Sequence, residues 1–389
     1  MAGELRLVFA ADGFDDRGAE VDADIGGKDA GLGVREFAIG GFGVVDIERG
    51  GASFAGAAAI VGEVELEGVP VVSQQVLDPE ALAAAIRNAD FQPCQLSVRS
   101  SPSMIARVMC ENVCLDFASL GPAMLFSGSM PQDCYTLVFV TECPEKGRSF
   151  NFALEPNDGY MGFFPPGGML DAYTPEGYAN ATLTVTSAVF LSAVERLFPE
   201  MPEGVLKRGA GMRIGADEQV RMRGLLAAVM AGIEDRAEPL VGSEVRKNLE
   251  GELLDVFLGA LRSGCGALVP NPGRRFEGRL RRLRQARDYL ADRLHEPVSV
   301  ADLCGELGLS RRGVELLFQD SLGIGPNAFL RHQRLHGVRR ALRAASPEPG
   351  LVKESALQWG FWHMGHFSRE YRSLFGESPS MTLSRQTHA

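Results

Sequence analysis

The stretch Val298–Asp320, VSVADLCGELGLSRRGVELLFQD, decides how the C-terminal part of the chain folds. Ser299 followed three residues later by Asp302 is a capping-box start, in which the two residues satisfy each other's open backbone N–H groups. The spacing predicts a helix running to Leu307, a turn at Gly308, and a second helix capped by Ser310 with Val314, Leu317 and Phe318 facing inward. A small residue at Cys304 and a glycine at the turn suit two helices that cross closely. That is the steric requirement of a helix-turn-helix whose second helix protrudes.

The same pattern returns 52 residues later, with Ala356 as the small residue, Gly360 at the turn, and Phe367 and Tyr371 on the inward side of the next helix. Asn327 to Ala344 reads as one connecting helix, with Pro326 at or near its first turn, where a missing N–H costs little. Upstream, Leu280 to Leu294 is amphipathic: Leu283, Ala286, Leu290 and Leu294 form one stripe and arginines occupy the other faces. Two protruding helices on one stiff strut suit successive major grooves of a DNA duplex, ~34 Å apart. The competing reading is a plain helical bundle with solvated arginines. The tandem recurrence of small residue and glycine counts against it.

Charge is distributed unevenly. The 389 residues carry 39 Lys and Arg against 50 Asp and Glu, a net charge of −11. From Arg274 onward the count is 19 basic against 12 acidic, which leaves 20 against 38 before it. A basic module on an acidic body is the footprint of an end that meets a polyanion.

The apolar share of 45% excludes wholesale disorder, and the length suits two or three domains. No run reaches the ~18 apolar residues of a membrane helix. The N-terminal MAGELRLVFAADG lacks the basic start of a signal peptide. Seven cysteines without paired metal-type spacing fit a reducing, cytoplasmic address.

The expected fold class is α+β: a strand-rich N-terminal sensor, then helices, then an all-α tandem helix-turn-helix domain. Residues 1–72 hold 15 Gly and 14 acidic residues and read as poorly ordered or loosely β. Residues 73–263 read as a sensor and dimerisation domain. A short helix is expected at Pro79–Asn88, then strands at CQLSV, VCLDF, YTLVFV, SFNFAL and ATLTVTS, broken by turns such as FFPPGG; strands at such spacing predict a sandwich or barrel. Helices follow at Ser187–Phe198, Asp217–Asp235 and Ser243–Arg262. Residues 264–273 read as a linker and 274–389 as the DNA-binding domain.

Leu280 to Arg385 resembles the DNA-binding domain of the AraC/XylS family of transcription regulators. The likeness rests on DLCGELGLSRR, the GIGPNAFL lead into the connecting helix, and QWGFWHMGHFSREYRSLFGESPS. Within the family, VSVADLC, LGIGPNA and QWGFWHMGHF are most similar to the branch containing the activator of ethanolamine-utilisation operons. The resemblance implies a first recognition helix at Arg311–Asp320 with Arg311, Arg312, Glu315, Leu316 and Gln319 outward. Of these, Arg312, Glu315 and Leu316 fall where relatives read bases. In the second helix it assigns Met364, Gly365, Ser368 and Arg369 to the corresponding places, with Arg369 the best match to a reader. Arg331, Arg334, Arg339, Arg340 and Arg372 are expected as phosphate contacts or solvated charges. Two departures stand out: Gly313 inside the first recognition helix, where Gly costs ~1 kcal/mol relative to Ala, and Glu315 in place of a neutral Gln.

Other constellations carry less. All six histidines lie beyond residue 273, so no His-ligated metal or His-dependent catalytic centre is expected in the sensor. His332 and His336 lack the HExxH pattern and read as surface or groove-facing. Cys94, Cys110, Cys114, Cys134 and Cys143 read as buried small apolar residues, with a redox switch as the alternative. Asp171, Tyr173 and Tyr178, in a Gly-rich loop, offer a carboxylate and aromatic faces for a small cationic effector, although a plain strand connection explains them equally. The expected function is a cytoplasmic, sequence-specific regulator, an activator under effector control, with no catalytic residues, metal or cofactor. Its expected partners are double-stranded DNA, RNA polymerase, a small-molecule effector of unknown identity and a second copy as homodimer. The alternatives are control by a protein partner or thiol oxidation, or an enzyme with a DNA-binding appendage.

Overall fold

A computed structural model describes residues 33–39, 42–48, 61–66, 69–76, 90–98, 102–144, 159–234, 243–265 and 274–384. The expected helix at Pro79–Asn88, the SFNFAL strand and most of the 264–273 linker lie outside the described residues. Among the described residues no helix is long and apolar enough to cross a membrane.

The chain is strand-rich first and helical afterwards, as its pattern predicts. Strands β1 (Gly33–Ile39) and β2 (Phe42–Glu48) form an antiparallel pair. The main sheet has eight antiparallel strands. In spatial order they are β13 (Ala210–Arg213), β10 (Tyr160–Phe164), β9 (Cys134–Glu142), β12 (Tyr178–Thr186), β7 (Val113–Leu120), β6 (Ser103–Met109), β4 (Val69–Val76) and β3 (Val61–Leu66). A smaller sheet of three strands has the order β11 (Met169–Thr174), β8 (Met124–Ser129), β5 (Asp90–Gln95).

Strand alternation sorts the interior into layers. Leu137 and Phe139 of β9 face one way, into a core shared with Leu183 and Val185 of β12 and with helices α1 (Ser187–Leu197), α3 (Ala216–Glu234) and α4 (Ser243–Cys265). Helix α2 (Glu203–Arg208) connects α1 to β13. Val138 and Val140 face the other way, into a core closed by Met124, Phe126, Leu170 and Ala172 of the small sheet. With both faces covered, Cys134 to Thr141 of β9 is buried without interruption, the signature of an inner strand. Of the two architectures the strand spacing predicts, the structure has the sandwich, with a helical layer added outside.

The C-terminal region is all helical: α5 (Arg274–Ala291), α6 (Val300–Leu307), α7 (Arg311–Leu322), α8 (Pro326–Ala344), α9 (Leu351–Gln358), α10 (Met364–Phe375) and α11 (Pro379–Ser384). The Ser299/Asp302 capping box forms, and Pro326 occupies the first turn of α8. Helices α6 and α7 make the first helix-turn-helix and α9 and α10 the second. Helix α8 spans both: Phe329 and Leu330 enter the first core, and Leu335, Val338 and Leu342 enter the second.

The turn glycines act through backbone conformation. Gly308 has φ of 60° and Gly360 of 82°, the left-handed region that side-chain-bearing residues avoid. A Cβ on Gly308 would meet nothing within 4 Å, so close helix crossing is not the reason for that glycine.

Candidate nucleic-acid interface

Each unit presents the start of its second helix. In the first, the Ser310 hydroxyl accepts the Gly313 N–H at 3.2 Å, and Val314, Leu317 and Phe318 anchor α7 from behind. Arg311, Arg312, Leu316 and Gln319 are exposed and Glu315 is half-buried. Two of these side chains have local partners. Gln319 Nε2 donates to the Gly323 carbonyl at 3.0 Å. Glu315 leans toward the start of α8, since a Cβ on Gly325 would stand 3.3 Å from its Oε2, and a helix N-terminus favours a carboxylate. In the second unit Phe367, Tyr371, Leu374 and Phe375 are buried, whereas Gly365, Ser368, Arg369 and Arg372 are exposed and Met364 is half-buried. Arg369 Nε donates only weakly to the Gly365 carbonyl, at 3.3 Å, one turn back. Both sets of sequence-predicted readers therefore lie on outward helix faces, supported from below by separate apolar cores.

Two expectations for the connecting helix are corrected. Arg339 is neither a phosphate contact nor a solvated charge: it is 1% exposed and its Nη1 lies 2.7 Å from Oε1 of Glu377. Its guanidinium also covers the Phe375 ring at 4.7 Å. The Thr382 hydroxyl donates to the same Glu377 oxygen at 2.7 Å and sits 2.8 Å from the Tyr371 hydroxyl, closing a buried network between α8, α10 and α11. Arg331 pairs with Glu370 at 2.7 Å. Arg334 donates to the Leu294 and Glu296 carbonyls, closing the chain segment that follows α5. The second correction concerns His336, which is buried, not surface or groove-facing. The Gln95 N–H donates to its Nε2 at 3.0 Å. Burial pushes its imidazole down to about 3, against the pull of the Gln95 hydrogen bond, with Arg340 and Arg339 adding to the depression.

That contact belongs to an interface that sequence reasoning missed. The small sheet turns Cys94, Leu96, Ala123, Leu125 and Tyr173 toward α5–α8, in one continuous apolar core with Leu283, Ala286, Phe318 and Phe329. At one end Asp171 receives hydrogen bonds from Arg284 Nε, at 2.7 Å, and from Arg287, which also reaches the Ser127 hydroxyl. Burial alone would raise the Asp171 carboxyl; the charge of Arg287 and the hydrogen bonds from both arginines outweigh it and hold it below the usual carboxylate range. At the other end the Gln95 side-chain amide donates to the Leu374 carbonyl of α10, and Gln333 donates to the Cys94 sulfur at 3.3 Å. The sheet thus grips both helix-turn-helix units at once and leaves their outward faces free.

Asp171, Tyr173 and Tyr178 do not converge. Strand period places Asp171 and Tyr173 on the helix-facing side of β11, whereas Tyr178 is buried between the two sheets. Asp171 is already paired with two arginines, so a cationic ligand would have to displace them. Among the cysteines, Cys94, Cys134 and Cys143 are buried, and no disulfide joins any two of the seven. Burial raises the thiols of Cys110 and Cys134 to about 11, assisted by Glu250 and Asp133 respectively, which keeps both protonated and slow to oxidise near neutral pH.

Two protruding helices on a shared strut, in a basic helical module, make up a tandem helix-turn-helix. Residues 303–385 match the family model described as a helix-turn-helix domain. A probable thc operon regulatory protein of Rhodococcus erythropolis is 40% identical over 101 residues, 26% of this chain and 30% of that protein. The chain therefore spans under a third of that relative's length. An XylDLEGF operon transcriptional activator of Pseudomonas putida is 25% identical over 285 residues, covering 69% of this chain and 81% of its own. The crystal structure of a probable AraC family transcriptional regulator from Rhodopseudomonas palustris is 38% identical, with 27% of this chain and 96% of that one covered and a TM-score of 0.26. Residues 303–385 thus carry a helix-turn-helix domain, and the chain is similar to regulators of the AraC/XylS type.

Proposed function

We propose that the protein is a sequence-specific transcription activator in which residues 73–263 sense an effector, 264–273 link, and 274–389 bind a promoter in the cytoplasm. One observation carries this reading: the exposed faces of α7 and α10 present Arg311, Arg312, Glu315, Leu316 and Gln319, and Met364, Gly365, Ser368, Arg369 and Arg372, while the sensor docks elsewhere. Arg312 and Arg369 suit guanine O6 and N7, and Glu315 suits cytosine N4 once it swings from the start of α8.

Activation of an operon is the activity named for the Pseudomonas relatives, and it supports the sign of regulation here. Recruitment of RNA polymerase and action as a homodimer follow from the same reading. The effector is a small molecule. Likeness of VSVADLC and QWGFWHMGHF to the ethanolamine-utilisation branch makes ethanolamine and cobalamin the first compounds to try. Asp171 and Tyr173 serve as the relay between sensor and helices, and Tyr178 as part of the sensor interior. A ligand that prefers one docking state shifts the regulator by its differential affinity, typically 1–3 kcal/mol.

The test is a titration of the full chain against duplexes selected from a random pool, across salt, with and without these compounds. Affinity should fall steeply as salt rises. Arg369→Ala should cost ~1–3 kcal/mol and relax preference at one base position. Equal losses on selected and random DNA would move Arg369 from base reading to backbone binding, and a flat salt response would remove the DNA-binding reading.

A further inference from the structure

Trp362 is 73% exposed, a large indole left in water on the turn between α9 and α10. An isolated aliphatic residue at such exposure is ordinary, but an aromatic plate of this size is suited to a partner that buries it. The indole borders a cleft of about 340 Å³ where the second unit meets the first, between the Gly360–His363 turn and the N-terminal half of α8. His363, His366 and Glu370 form the α10 flank of this cleft at helical spacing, next to the stripe of Gly365, Ser368, Arg369 and Arg372. Arg331 and Arg334 line the opposite wall. Glu370 is the one carboxylate of the lining, and it is shared by Arg331 at 2.7 Å and His366 at 3.1 Å. Arg334 spends its donors on carbonyl groups, so its charge is left over.

We infer that this cleft is a backbone seat: Trp362 contacts the sugar–phosphate strand bordering the major groove that α10 enters. The inference rests on the DNA-binding reading above. With α10 in a groove, the phosphate strand on that side runs along the helix flank nearest the cleft. There it meets the surplus positive charge of the lining, the flat face of the indole and its N–H donor. Such a contact fixes the depth and tilt of the second reader and carries no base information. Trp362 is thus a positioning residue for Arg369.

The test uses the full chain with two 30-base-pair duplexes, one of random sequence and one selected by the wild-type protein. Binding is followed by anisotropy of the labelled DNA and, separately, by tryptophan emission. The chain has two tryptophans, and Trp359 is packed against Gly337 and His295. DNA should quench or blue-shift wild-type emission, and the change should be missing in W362F. W362A should weaken binding roughly ten-fold on both duplexes, leaving the ratio between them unchanged. Circular dichroism of each variant should match wild type, so that loss of fold is not mistaken for loss of contact. Binding by W362A as tight as wild type, or the same emission change in W362F, overturns the inference while leaving DNA binding intact. A loss confined to the selected duplex makes Trp362 a base reader instead and also overturns it. Retained DNA binding with lost transcription by RNA polymerase assigns the indole to a protein partner. If the wild-type chain binds neither duplex, the DNA-binding reading fails and the inference falls with it.

Discussion

Lowering the pH from 7 to 5 should loosen the small sheet from the C-terminal helices through a single imidazole. His336 is 1% exposed, its Nε2 accepts the Gln95 N–H, and burial pushes it down to about 3. A histidine freed from the sheet returns toward its ordinary value near 6.5. The undocked state therefore binds more protons below that pH, and docking free energy is lost as the pH falls. Each unit is worth about 1.4 kcal/mol, so docking weakens by about 2 kcal/mol at pH 5, roughly thirty-fold. Arg339 and Arg340 near the ring push the same way, and the Phe375 ring edge offers no compensating charge. Asp171 is held low by its arginines and stays ionised throughout this window, so it does not confuse the result. Hydrogen exchange of the peptide containing Gln95 reads the opening directly, because that amide is the donor. Once corrected for intrinsic exchange, wild-type protection should drop across the window. His336→Gln keeps an acceptor for the same N–H but has no proton to gain, so its protection should stay level. His332, which burial lowers to about 4, is still present in this variant and serves as the internal control. Wild-type protection that does not change with pH would refute the reasoning.

Asp171→Asn leaves Arg284 and Arg287 facing a neutral amide. Because these side chains are partly exposed, the expected loss of docking is about 1 kcal/mol, seen as faster exchange at Gln95 at pH 7. Asp171's own contribution should persist from neutral pH down to the ordinary carboxylate range and fade only as the pH falls through its depressed value; fading near pH 6 would contradict the pairing. Glu377→Gln strands the buried Arg339 charge and should lower unfolding stability by roughly 3 kcal/mol in urea titrations followed by Trp359 emission. Adding Arg339→Met should recover part of that loss. A single-variant change below about 0.5 kcal/mol would show that the pair contributes little.

The duplicated unit was legible because its signals are local. Capping at Ser299 and Asp302, glycines at Gly308 and Gly360 and helical spacing of the apolar residues all act within a few residues, and the structure has each feature. The role of the glycines was misassigned: a sequence shows that a side chain is absent but not whether space or a positive φ requires it. Arg339 had a readable signal that charge alone obscured. It shares the α8 stripe of Leu335, Val338 and Leu342, which faces the core, so an arginine there needs a buried acid. Of the expected trio Asp171, Tyr173 and Tyr178, strand period keeps the first two on one face and Tyr178 lies in a different core. What covers that face is set by elements more than a hundred residues away, which no periodicity encodes. The Gln95–His336 contact joins residues 241 apart through a backbone N–H that carries no sequence signal at all.

A single three-stranded sheet holds the arginines of α5 at one end and the Leu374 carbonyl of α10 at the other. The angle between the two probing rods is therefore gauged by the strand-rich region as well as by the strut that joins them. Excised from that gauge block, the C-terminal fragment would keep its teeth but lose some of its pitch, so it should tolerate half-sites of more varied separation than the intact molecule does.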